Sequence, residues 1–280
     1  MTTGTTTVLD TLSPVALSDI DDVSAMARYD RKYLVSTAAT PTLLSDLAGD
    51  FGALDIDGRR TFDYLSVYFD TPDFATFRMH RQGRRRRFKI RTRHYGDPAS
   101  GMLEVKCKSA RGQTVKYRRP HTGASPYELD ADGHTFIAAT LRHHYGLDLD
   151  LSVLTELSWT VETSFQRSTL VDLTADERVT IDTVLSVTDG ECSVAFDEGW
   201  AIAEAKSPQR RSSSGRALRN VGARERRLSK YCLGIAVLHA DLPASPWQRS
   251  VRTLTGAGAH QPDHAETRHI AADPAVARQP

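Results

Sequence analysis

The chain has 280 residues, 40% hydrophobic and 25% charged, with 36 Lys+Arg against 35 Asp+Glu. That is globular composition with room for one large domain or two small ones. A net charge of +1 argues against a dedicated nucleic-acid binder, which carries a basic excess over its whole domain. The three cysteines, Cys107, Cys192 and Cys232, stand far apart with no CxxC, which excludes a zinc or disulfide framework and suits reduced thiols in a cytosolic protein.

Residues 1–24 are Thr-rich, lack the basic and apolar regions of a signal peptide, and read as a flexible N-terminal tail. The body runs over about 25–242. Eight runs in it alternate at strand period: RYDRKYLV (28–35), YLSVYFDT (64–71), RRFKIRTRHY (86–95), MLEVKCKS (102–109), TVKYRR (114–119), WTVETSFQRSTLVDL (159–173), RVTIDTVLSV (178–187) and AIAEAKS (201–207). Short helices interrupt them. TPTLLSDLA (40–48) offers a Thr cap with Pro at the first helical position, and 132–146 begins with Asp and ends with Gly. Two more are expected over roughly 214–221 and 229–239. Residues 243–280 are rich in Pro, Ala, Gly and His without a period, and read as a disordered C-terminal tail. No apolar run reaches the ~20 residues of a membrane span, so a cytoplasmic protein is expected. The fold class is α+β, mainly antiparallel β.

The charge is local. Arg81–Arg93 holds eight basic residues and no acid. Such a run suits a disordered basic tail, a nucleic-acid patch, or a strand aimed at one polyanion. Its period decides against the tail: Arg87, Lys89, Arg91, Arg93 and Tyr95 share one strand face, and Phe88, Ile90 and Thr92 the other. The same alternation puts Glu104, Lys106 and Lys108 on one face, as it does Lys116 with Arg118, Glu204 with Lys206, Arg178 with Asp182, and Arg28 with Asp30 and Lys32. For one strand, a solvated outer face explains this. Six charged stripes set opposite apolar ones suit a closed antiparallel barrel with its charged faces turned inward. Inward Lys and Arg repel one another and lose hydration, so a polyanion is expected to fill the tunnel. One or two inward carboxylates would hold a divalent cation that bridges phosphate oxygens.

These pieces, in this order, resemble the VTC domain, the polyphosphate-polymerase branch of the triphosphate tunnel metalloenzymes. RYDRKYLV looks like the opening strand, SVYFDTPDFATF (66–77) like the tyrosine-aspartate signature, and FKIRTRHYG (88–96) like the K-x-R-x-R-x-Y strand. LEVKCK (103–108) looks like an E-x-K strand, FQRSTL with RVTID (165–182) like the next pair, AEAKS (203–207) like the late E-x-K strand, and LSKY (228–231) like the S-K-Y element. The resemblance implies an eight-stranded closed tunnel flanked by short helices, binding triphosphate or polyphosphate with Mn²⁺ or Mg²⁺. It places Lys32, Arg91, Arg93, Lys106, Arg167 and Lys230 on the reacting phosphates, and Glu204 on the metal with Glu104 or Asp182 near it. Lys89, Lys108, Arg118 and Lys206 share those faces and are expected to bind substrate.

The implied activity is transfer of the ATP γ-phosphate to a growing polyphosphate chain. The opening element Asp30-Arg31-Lys32 departs from the E-x-E-x-K of tunnel triphosphatases and cyclases, which favours the polymerase branch. The rivals are a hydrolase of inorganic or organic triphosphate and a non-catalytic polyanion-binding module. Other features are weaker. Arg84–Arg87 suits a tunnel mouth or a solvated turn, and 208–230 a helical lid or an exposed face. His134, His143 and His144 read as helix-surface histidines. Tyr68 and Asp70 suit either a pair that orients tunnel groups or, the favoured reading, a packed tyrosine with a turn-capping aspartate.

Overall fold

The computed structural model describes residues 8–21, 29–108, 114–146, 154 and 156–256, with only the backbone described for 21 and 97–100. Eight long strands carry the fold: β2 (Tyr29–Ser36), β4 (Phe62–Asp70), β5 (Arg87–Tyr95), β6 (Asp97–Lys108), β7 (Thr114–Pro120), β8 (Ser158–Asp172), β9 (Glu177–Thr188) and β11 (Trp200–Ser207). They coincide with the eight alternating runs. Four short strands join them: β1 (Pro14–Val15), β3 (Gly52–Leu54), β10 (Ser193–Ala195) and β12 (Arg224–Glu225).

All belong to one twelve-stranded sheet with the path β12-β2-β11-β9-β8-β4-β5-β6-β7. The expected closure into an eight-stranded barrel does not occur, because β12 and β7 end the path without pairing. Both ends are poor partners. β12 has two residues, and β7 exposes Lys116 and Arg118 along its length, the kind of charged edge that resists further pairing. The sheet nevertheless curls strongly. Lys106 of β6 lies within electrostatic reach of Glu204 of β11, and Lys108 of Asp30 and Lys32 of β2, although five steps of the path separate β6 from β11.

The outward stripes form the core. Helix α1 (Thr40–Leu47) buries Leu43, Leu44 and Leu47 against Tyr33, Val35, Ala203 and Ala205. Its N-cap is Ala39 with no side-chain bond, so Thr40 is the first helical residue and not the expected cap. Helix α2 (Ala75–Arg81) follows β4. Helix α3 (Ala131–Tyr145) lays Ile137 and Leu141 on Val67, Phe69, Ile90, Leu103 and Val105. Its cap is Asp130, which accepts from the Gly133 N–H at 2.6 Å, two residues before the expected Asp132. Helix α4 (Ser213–Asn220) buries Ala217 and Leu218 in the α1 cluster, and Glu177 accepts from the Ser213 and Ser214 N–H groups at its first turn. Held in this way on the outer wall, α4 is no lid.

Both tails contribute to the fold. Leu9, Leu12, Val15 and Ile20 are buried, and β1 pairs with β3. That pairing needs Gly52, where a Cβ would stand 2.4 Å from Val15 Cγ2. The segment expected as a loose N-terminal tail is thus partly core. Trp247 is 1% exposed and helix α6 (Gln248–Thr255) buries Leu254, so the expected disorder does not begin at 243. Residues 257–280 lie outside the described residues.

Helix α5 (Lys230–Leu238) is placed differently, on the concave face. Gly234 sits so close to Val161 and Val187 that a Cβ would stand 2.8 Å from Val161 Cγ2, and both valines are on inward stripes. With Leu34, Tyr68, Phe165 and Ile202 they make an apolar floor at one end of the curl, which α5 covers.

A bulge makes this possible. Between Ser164↔Ser186 and Gln166↔Thr183, Val184 and Leu185 oppose the single residue Phe165. The extra residue switches the parity of β9, so Leu185 and Val187 face the plug while Asp182 and Thr180 also face inward. Val184 takes φ +50° and is 41% exposed, a strained conformation for a β-branched residue. Val184→Asn, which tolerates that region, is expected to stabilise by about 1 kcal/mol and raise Tm by roughly 2–4 °C. A lower Tm would mean that the residue is not strained in solution.

Candidate active site

Beyond the apolar floor the concave face is cationic. On β5, Arg91 donates from Nε and an Nη to Glu104 Oε2 at 2.8 and 2.5 Å, and from its other Nη to the Tyr68 hydroxyl at 3.1 Å. Glu104 has no exposed surface and also pairs with Lys116 at 3.3 Å. Arg93 donates to Ser66 Oγ at 3.2 Å and lies over the Tyr64 ring. Across the curl, Arg167 donates to both Asp182 oxygens at 2.6 and 2.8 Å, and Lys230 donates to Asp182 Oδ2. On β2 and β11, Lys32 pairs with Glu204 at 2.8 Å, with Lys206 3.8 Å from the same oxygen.

One pattern repeats: Glu104, Asp182 and Glu204 each bridge two cations. Burial alone would raise these acids, but the cations outweigh it. Arg167 and Lys230 hold the Asp182 carboxyl down to about 2, Arg91 holds Glu104 far below the carboxylate range, and Lys32 does the same for Glu204. The remaining cations are less compensated. Arg91, together with burial, pushes Lys106 well below the usual lysine value. Burial lowers Lys89 and Lys230, and burial with Arg91 lowers Arg93. For Lys230, Asp182 offsets only part of that effect. The face holds more buried positive charge than its acids balance, the situation that a polyanion relieves.

Lys230 is aimed by a buried network. Ser229 caps α5 and accepts from the Cys232 N–H. The next residue, Tyr231, donates its hydroxyl to Asp70 Oδ2. Asp70 also accepts from the Thr71, Thr76 and Phe77 N–H groups at 2.8–3.0 Å and from Thr76 Oγ1 at 2.8 Å. The aspartate thus caps the first turn of α2 and anchors α5 through one tyrosine.

The VTC-domain family model matches residues 27–239. The chain belongs to the VTC-domain family. Among curated proteins no sequence matches it significantly. Solved structures similar to this VTC domain include a candidate adenylate cyclase from Bacillus halodurans (15% identity, TM-score 0.41, 73% of this chain and 96% of that one). Another is the PH1819 protein from Pyrococcus horikoshii (11%, TM-score 0.41, 75% and 99%). A third is a candidate adenylyl cyclase from Hippeastrum with a dominant triphosphatase activity (15%, TM-score 0.39, 79% and 100%).

The strand residues expected at the site lie on the inward stripes, and Lys230 reaches the same interior from α5; Arg28, expected on the Lys32 face, lies outside the described residues. Lys32, Lys89, Arg91, Arg93, Lys106, Arg167, Lys230, Glu104 and Glu204 converge on the charged interior. Lys206 and Lys108 stand near Asp30, and Lys108 donates to Thr114 Oγ1 at 3.1 Å. Arg118 is exposed on the open edge strand, opposite Glu104 in register. Arg84, Arg85 and Arg86 are exposed before β5 begins, a solvated turn. Sequence reasoning gave Lys116 and Tyr231 no site role, and it set Asp182 beside the metal as an alternative to Glu104, whereas the structure pairs Asp182 with Arg167 and Lys230. Lys116 shares a stripe with Arg118, which was a usable signal. Tyr231 follows Lys230, but its bond to a side chain 161 positions away had none.

Among the described residues no three His, Cys, Asp or Glu side chains stand together, so the protein alone offers no oxygen cage. Mg²⁺ and Mn²⁺ need only one or two carboxylates when phosphates supply the other oxygens. Glu204, whose side chain is 17% exposed, fits that use better than the fully covered Glu104.

Asp182 gives a pH test. Its depressed value contributes stability that is fully present above the unfolded value of roughly 3.9 and is lost as pH falls to about 2. Asp182→Asn should lack that acid limb in urea titrations and lose about 3 kcal/mol at neutral pH. An unchanged acid profile would exclude the pair. Lys106 gives a second test. A bound polyanion should raise its lowered value, so inorganic triphosphate binding at mildly alkaline pH should take up protons. Calorimetry in buffers of different ionisation enthalpy reads this, and Lys106→Met should reduce the uptake.

Proposed function

We propose that this VTC domain is a metal-dependent polyphosphate polymerase. The observation that supports the reading is the buried cationic face on which Glu104, Asp182 and Glu204 are each already shared between two cations, leaving a positive charge that a polyanion would neutralise. Arg91, Arg93 and Arg167 present guanidinium forks to phosphate oxygens, and Lys32, Lys106 and Lys230 act as point charges. Lys89, Lys108, Lys206 and Arg118 extend the same field along the chain of phosphates. In the transfer, a terminal oxygen of polyphosphate forms a bond to the γ-phosphorus of ATP while the bond to the β-phosphate bridge breaks, releasing ADP. Glu204 would hold a divalent cation, which would supply further charge neutralisation. Positioning and neutralisation are most of what phosphoryl transfer requires.

Triphosphate hydrolysis would use the same cations and the same metal anchor. One observation favours transfer. Glu104, Asp182 and Glu204 are engaged by cations and Asp70 by N–H groups and hydroxyls, which leaves none of these buried carboxylates poised to take a proton from water, whereas a phosphate acceptor is already anionic and needs no base.

The test is incubation with ATP and Mn²⁺ followed by gel staining for polyphosphate and a free-phosphate assay. A metal-dependent ladder is expected, and Glu204→Gln should reduce it by about a hundredfold or more. Free phosphate without a ladder would establish the hydrolase instead. Tight triphosphate binding with neither product would leave a binding module.

A further inference from the structure

The cationic face ends at a wet aromatic. Tyr95 is the last residue of β5, on the Arg91–Arg93 stripe, and is 41% exposed. Gly96 follows at φ +71°, a turn that ends the strand there and leaves the ring at the rim. The Tyr95 ring meets that of Tyr64 edge-on, with centroids 5.1 Å apart. Tyr64 in turn stacks on Phe165 at 5.3 Å with an 18° interplanar angle. The guanidinium carbons of Arg93 and Arg167 lie 5.4 and 4.9 Å from the Tyr64 centroid.

Phosphate chemistry uses none of these rings. Inorganic triphosphate and polyphosphate have no π-face, yet this half-wet aromatic step directly adjoins two arginines assigned to phosphate. A nucleoside triphosphate has both parts. With its phosphates on Arg93 and Arg167, its base would extend toward the rim, where Tyr95 offers an apolar ring surface with Tyr64 fixed behind it.

We propose that Tyr95, backed by Tyr64, is the platform on which the base of the donor nucleotide stacks. The inference rests on the reading that this face binds a nucleoside triphosphate, and it adds how the donor is told apart from the phosphate chain it extends. Stacking accepts any base, because every base has a π-face. Tyr95 therefore selects a nucleotide over inorganic triphosphate and discriminates little between purines.

Calorimetric titration with ATP, GTP and inorganic triphosphate, each with Mn²⁺, tests this on the full chain as wild type, Tyr95→Phe and Tyr95→Ala. Tyr95→Ala should weaken ATP and GTP binding by roughly 5–100-fold, the range for loss of one base–aromatic stack. It should leave inorganic triphosphate binding unchanged, and Tyr95→Phe should bind all three as wild type does. Equal weakening for nucleotide and inorganic triphosphate, or no change for either, overturns the proposal while leaving the phosphate site standing. If the wild type binds none of the three, the phosphate reading fails and this inference falls with it. Because Tyr95 is exposed, its variants should keep the wild-type circular dichroism, and retained triphosphate binding independently reports an intact site.

Discussion

Like charges brought together on the concave side of a curled sheet repel, and each loses hydration as the wall closes around it. The architecture of this VTC domain can be understood as the set of compensations that this crowding demands. Glu104, Asp182 and Glu204 are spaced around the curl, and each is shared by two cations. Sharing holds the arginines in fixed orientations and still leaves the interior positive. A stronger acid content would stabilise the empty protein and compete with phosphate. A weaker one would leave the strands too strained to curl.

The same logic explains why one end is apolar. Charged side chains can be tolerated where solvent or ligand reaches them, so the covered end is built from Leu34, Tyr68, Val161, Phe165 and Val187 under α5. The helix does two things with one sequence. Its apolar face seals the floor, and its first residue, Lys230, reaches Asp182. Asp70 joins these tasks, since the carboxylate that caps α2 also receives the Tyr231 hydroxyl. Loss of Asp70 would leave buried N–H groups of α2 unsatisfied, which costs about 1–3 kcal/mol, and loss of either partner would remove the bond that anchors the helix carrying Lys230.

Strand period made most of the site legible. Arg91 and Arg93 had to share a face, as did Glu204 with Lys206, because successive side chains alternate. Period also separated the apolar stripe of Ile90, Leu103 and Val105, which the structure places under α3. Where period fails, the reading failed too. Val184 adds a residue without adding a step, so alternation alone could not put both Asp182 and Val187 on the inner face. The N-terminal segment looked unstructured because its anchors are few and irregularly spaced, yet Leu9, Leu12 and Val15 find a surface that only the assembled sheet provides. Closure was expected from the six charged stripes set opposite apolar ones and from the family resemblance. Whether the ends of a sheet meet depends on curl and edge chemistry, which no single strand encodes.

The sequence by itself determined the eight long strands, their inner and outer faces, and the excess of cations on the inner one, because these follow from local alternation and residue type. Tertiary structure decided which cations share which acid, which end is plugged, that the sheet stays open between β7 and β12, and that Tyr231 reaches Asp70. Those are contacts between residues far apart in the chain. They depend on twist, bulge and helix placement, quantities that arise only when the whole sheet folds around its charge.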